Sequence, residues 1–225
     1  MQHNIKSLIG FRMEAADGDI GRVEEFYFEE TSWLIRYLII ETGNWLLNRK
    51  VLIVPQAIKQ CDAKAEVFRT NLTTEQIRTS PDVGTDQLVS RQQTMPLYGH
   101  YDWEWYGSGF YAGGLEAVMD NDPVIDAQDE KGDLHLRSTE EVKGYQIHTA
   151  DGDFGHVSDF ILDDTTWQII YLVVDTHKWF GGTKLLIKTS AINEIQWGNA
   201  KVMVNIITET IKDCPVFDES EFNHS

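Results

Sequence analysis

The sequence predicts an all-β protein made of two small antiparallel barrels in tandem, with helix confined to short end pieces. The chain of 225 residues repeats itself: a shift of 134 positions lays residues 10–81 over 144–215 without a gap, with 25 of 72 positions identical. Each copy reads as short β segments separated by turn residues, with helical spacing only at its end. A unit of that length with about five or six strands suits a compact barrel and is far too long for one repeat of a solenoid.

The elements follow in order. Asp17-Gly18 and Asp151-Gly152 are Asp-Gly pairs of the kind that supply positive φ in hairpin turns. The strands Gly21 to Phe28 and Gly155 to Leu162 come next. Val23 and Phe26 recur as Val157 and Phe160, a spacing that keeps both side chains on one face only if a β-bulge lies between them. Acidic turns, Glu29 to Ser32 and Asp163 to Thr166, then lead into Trp33 to Ile40 and Trp167 to Val174. These strands are apolar on nearly both faces, as expected where a second layer covers them. Further strands are expected at Lys50 to Val54 and Lys184 to Lys188, and around Phe68 and Val202. Thr74 to Arg78 and Thr208 to Lys212 read as single helical turns stopped by Pro81 and Pro215. The resulting division is a first barrel over 1–81, a connector over 82–143, a second barrel over 144–217 and a frayed tail over 218–225.

Net charge is −17, distributed as −2 over residues 10–81, −9 over 82–143 and −4 over 144–215. Nucleic-acid phosphates and anionic membrane surfaces meet repulsion from such a chain, so direct nucleic-acid binding is excluded. No apolar run is long enough to span a bilayer and no secretory signal opens the sequence, so a cytoplasmic protein without membrane insertion is expected. Cys61 aligns with Ile195 and Cys214 with Ser80, so the repeat holds no shared disulfide or metal framework.

The run Asp151-Gly152-Asp153-Phe154-Gly155-His156-Val157-Ser158-Asp159-Phe160, followed by an acidic turn, Trp167 and the apolar strand into Asp175-Thr176, resembles the PRC-barrel family. That family includes the cytoplasmic domain of the photosynthetic reaction centre H subunit and a ribosome-maturation factor. Residues 17–26 carry the same pattern, and the approach Leu136 to Tyr145 resembles the lead-in of tandem members. The resemblance implies binding and assembly, with no catalytic residue set.

No chemistry competes with that expectation. The Asp-Gly-Asp turns lack the dozen-residue spread of carboxylates that a calcium loop needs. The seven histidines do not repeat and no His–Cys spacing supports zinc. Catalytic residues, cofactor and metal are therefore all read as none. Trp33 and Trp167, with Tyr37 and Tyr171, are expected to pack in the core or between the barrels. The candidate partner-binding residues are the loop tryptophans Trp45 and Trp179, with Tyr98, Tyr101, Trp103, Trp105 and Tyr106 of the aromatic connector. The expected function is a non-enzymatic adaptor that holds a basic protein partner or a second copy of itself as a homodimer. The alternatives are an accessory factor on a ribosomal or reaction-centre-like complex and, most distantly, a small-molecule or metal sensor.

Overall fold

Short β-prone runs punctuated by turns leave little room for helix, and the computed structural model is accordingly mostly β. It describes residues 1–79, 136–176 and 182–222. The first half holds β1 (Gln2–Asn4), α1 (Ile5–Leu8), β2 (Arg12–Glu14), β3 (Asp19–Glu29), β4 (Leu34–Glu41), β5 (Lys50–Ile53), β6 (Ile58–Asp62), β7 (Val67–Thr70) and α2 (Thr74–Arg78). The second half holds β8 (Leu136–Ser138), α3 (Thr139–Val142), β9 (Gln146–Thr149), β10 (Gly152–Asp163), β11 (Gln168–Asp175), β12 (Lys184–Lys188), β13 (Ile192–Gln196), β14 (Lys201–Val204), α4 (Thr208–Ile211) and α5 (Glu219–Phe222).

The two halves repeat one another to the residue in their pairing. Met13 faces Gly21 as Ile147 faces Gly155. Leu38 faces Ile53 as Leu172 faces Ile187, and Ile58 faces Thr70 as Ile192 faces Val204. The bulges recur too: the register slips between Val23 and Glu25, and between Val157 and Asp159. Val23 and Phe26 are thereby both buried, as the spacing predicts. The expectation of purely antiparallel sheets needs one correction, because β2 runs parallel to β7 and β9 to β14. These partners are separated by the rest of the unit, so no hairpin forces them to be antiparallel.

The halves are interleaved. β1 pairs with β10 of the second half, while β8 pairs with β3 of the first. Gln2 opposite Asp163 is matched by Leu136 opposite Glu29, so the exchange is reciprocal. A pseudo-twofold axis passes where β4 meets β11, at the equivalent residues Leu34 and Gln168. Around it Ile35 N–H donates to Trp167 O and Ile169 N–H to Trp33 O, both at 2.8 Å. One apolar core runs through both halves, including Phe26, Phe28 and Phe68 from the first and Phe154 and Phe160 from the second. Phe28 and Phe160 lie 5.9 Å apart across the junction.

Two stretches differ from their sequence-based assignment. Residues 136–142, placed in the connector, form β8 and α3 because their backbone completes the edge of β3. Residues 219–222, placed in the frayed tail, form α5 because Phe222 is buried and stacks on Phe217 at 5.5 Å, over Ile161, Val173 and Leu186. Among the described residues no helix is long and apolar enough to cross a membrane.

Candidate functional site

Of the residues singled out for partner binding, Trp45 is described, whereas Tyr98, Tyr101, Trp103, Trp105, Tyr106 and Trp179 lie outside the described residues. Trp45 sits in a 3-10 turn, Gly43–Leu46, between β4 and β5. Its indole N–H donates to Ile20 O at 2.6 Å while 43% of the residue stays exposed. The ring is thus fixed and presented together. Leu47, which closes the turn with left-handed backbone at φ 56°, is 93% exposed. Sequence reasoning passed over Leu47, because a leucine in a β-rich chain reads as core by default.

The Asp-Gly-Asp turns have structural work. Asp17 accepts from Thr74 N–H at 2.7 Å and Asp151 from Thr208 N–H at 2.9 Å. Each carboxylate thus reaches from the hairpin to the first amide of the closing helix, where free N–H groups favour an anion. Bonds from the Thr149 hydroxyl and from the Thr208 amide and hydroxyl hold the Asp151 carboxyl down at about 2. Gly18 does not adopt positive φ, so in the first copy the aspartate and not the glycine explains the pair.

The exchanged strands bring polar groups to the junction as matched pairs. His3 Nε2 lies 2.9 Å from Asp164 Oδ2, and the equivalent Arg137 Nε lies 2.6 Å from Glu30 Oε2. Asn4 donates to buried Asp159 at 3.1 Å, and the equivalent Ser138 hydroxyl donates to Glu25. Burial raises the carboxyls of both Asp159 and Glu25 above their ordinary values, against the bonds that oppose it. Arg137 also lies over the Trp197 ring, 3.9 Å from its centre.

Beside this junction, a cavity of about 500 Å³ opens between Glu30, Thr31 and Trp33 on one side and Gln168, Asn193 and Glu194 on the other. Its described lining offers hydroxyls, amides and carboxylates, but no histidine, cysteine or lysine. At the equivalent place across the pseudo-axis, His3, Cys61 and Asp164 converge, with ligand atoms all within 4.8 Å of one another. Burial and the nearby Asp164 and Asp62 push the Cys61 thiol up to about 12. Burial opposes ionisation of Asp164, yet the bonds from the Met1 ammonium and from His3 outweigh it and hold that carboxyl below its usual value. The sequence signal for these residues lies in the repeat: carried back to residue 2, it pairs His3 with Arg137 and Asp164 with Glu30.

Residues 137–211 match the family model of the PRC-barrel domain. Over those residues, a third of its length, the chain is similar to a PRC-barrel domain. The match begins on β8, the strand lent to the first half, and ends with α4. The matched segment therefore includes a lead-in strand that pairs with β3 of the other half. PRC-barrel domains are small β modules and are in general non-catalytic. No curated protein matches the chain.

Proposed function

We propose that this protein is a non-catalytic scaffold built from two PRC-type modules, which docks a basic protein partner through the Trp45–Leu47 turn. What supports a second module is the residue-for-residue repetition of strand register between the halves. The observation that carries the docking role is the pairing of a pinned, half-exposed indole with a leucine that is 93% exposed on a single turn. Presenting a large aromatic already fixed by a hydrogen bond lowers the ordering cost of binding. Burying the leucine in a partner's pocket is worth about 1.5–3 kcal/mol. The net charge of −17 favours a basic rim around that pocket and speeds encounter with it.

The test is capture from extracts of the native cell with wild type, Leu47→Asp and Trp45→Ala as baits, followed by direct affinity measurement on the partner found. Leu47→Asp is expected to weaken binding at least tenfold, about 1.4 kcal/mol, with the fold unchanged by circular dichroism. A partner held equally well by all three baits would overturn the role of the turn. A complex made of two copies of this chain, lost in Leu47→Asp, would replace the heterologous partner with self-association.

A further inference from the structure

We propose that His3, Cys61 and Asp164 form a binding site for a zinc-class divalent transition-metal ion that fastens the two halves of the chain together. Each ligand comes from a different place in the fold. Cys61 lies on β6 of the first half, and Asp164 lies in the turn after β10 of the second. His3 lies on β1, the strand that the first half lends to the second. Their donor atoms all fall within 4.8 Å of one another, and His3 Nε2 and an Asp164 oxygen already face each other at 2.9 Å. A tetrahedral ion with bonds of about 2.0–2.3 Å needs its ligand atoms roughly 3.3–3.7 Å apart, so the site forms when the sulfur moves inward and the His3–Asp164 pair opens slightly to admit the ion. His3 is buried and Cys61 is not in a disulfide, so both ligands are confined and chemically available.

The symmetry of the molecule supplies the independent argument. At the equivalent place around the pseudo-axis, Glu30 receives a permanent cation, the Arg137 guanidinium, which Trp197 covers. At the His3 end the same acidic position is kept as Asp164, but arginine gives way to the shorter histidine and the apolar Ile195 to Cys61. The two changes shorten the cation side chain and add a sulfur ligand at one spot. An ion there would displace the Met1 ammonium from Asp164 and take the place that the guanidinium has beside Glu30. The mixture of imidazole, thiolate and carboxylate selects a borderline ion such as zinc, since calcium and magnesium take oxygen-only sets. On binding, the thiol proton leaves to solvent, the proton on His3 Nε2 also leaves so that the ring is neutral and protonated at Nδ1, and sulfur and Nε2 bond the ion.

The full chain, stripped of metal, is titrated with Co²⁺ and then with Zn²⁺. The wild type is expected to bind one Co²⁺ with a thiolate-to-cobalt charge-transfer band that Zn²⁺ abolishes by displacement. Cys61→Ser should remove that band, His3→Gln should weaken affinity at least about tenfold, and Cys214→Ser should change neither. Zn²⁺ should also raise the Tm of the wild type and not that of Cys61→Ser. Absence of the band in the wild type, or its survival in Cys61→Ser, overturns the site. If Cys61→Ser fails to fold, unchanged affinity in His3→Gln overturns it equally.

Discussion

Single residues carry strict geometric demands at equivalent points of the two halves. A Cβ at Gly21 would sit 1.9 Å from Glu41 O, and one at Gly155 would sit 2.4 Å from Asp175 O. Both distances are impossible without moving backbone, and the backbone concerned belongs to the neighbouring strand of the central ladder. Gly155→Ala should therefore lower stability by about 1–3 kcal/mol or more in urea unfolding. Gly198→Ala, with nothing within 4 Å of the added carbon, should change it by less than about 0.5 kcal/mol. The sequence marks Gly21 and Gly155 as shared positions but not the reason, since the crowding atom is twenty residues away along the chain. Trp33 and Trp167 illustrate the same limit. They read as strand openers, yet both take left-handed backbone, φ 60° and 57°, in the preceding turn. That conformation costs a non-glycine residue about 1–2 kcal/mol. Closing the turn onto Glu29 O and Asp163 O and passing a carbonyl to the opposite half offset the cost.

Elements in this protein are short and depend on groups outside themselves. Helix α4 spans only Thr208–Ile211, too few residues to persist by propensity, and Asp151 anchors its first amide from a distant hairpin. Because the folded carboxyl titrates near 2, below its ordinary 3.8, its contribution is present above about pH 4 and lost as pH falls toward 2. Asp151→Ala should lower Tm at neutral pH, and the gap from wild type should close as pH approaches 2. Asp151→Asn keeps an acceptor for the Thr208 amide, so it should retain more of the neutral-pH Tm while flattening the acid limb. Equal losses in both variants at every pH would show that the charge and the bond do not matter there. Most elements were legible in the sequence, including the bulge between Val23 and Phe26 and the helical turn at Thr74. The packed α5 was not, because two phenylalanines in an acidic tail give no periodicity until Ile161 and Leu186 are seen beneath them.

At the scale of the whole molecule the two copies exchange edge strands and share one main core, a property the repeat conceals. The lead-in segments 2–9 and 136–143 share no identical residue, so identity between the copies begins only at Gly10 and Gly144. What the segments share is backbone register and a reciprocal choice of polar partner: His3 with Asp164 and Arg137 with Glu30, Asn4 with Asp159 and Ser138 with Glu25. Each half thus extends the other's strands, and the main core is continuous through both, with only the small Ile161, Val173, Leu186 and Phe222 cluster confined to the second half. Arg137→Met tests this consequence most directly, because the mutated residue belongs to the matched PRC barrel while its partner Glu30 belongs to the other half. Breaking a largely buried pair should cost on the order of 2 kcal/mol, below the value for full burial since Glu30 keeps some access to solvent. If the halves fold as one, the slowest-exchanging amides of β3–β4 and of β10–β11 should lose protection together, by the same free energy, and urea unfolding should stay a single transition. Protection lost in one half alone, or a second transition, would mean that the exchanged strands join two independently stable units.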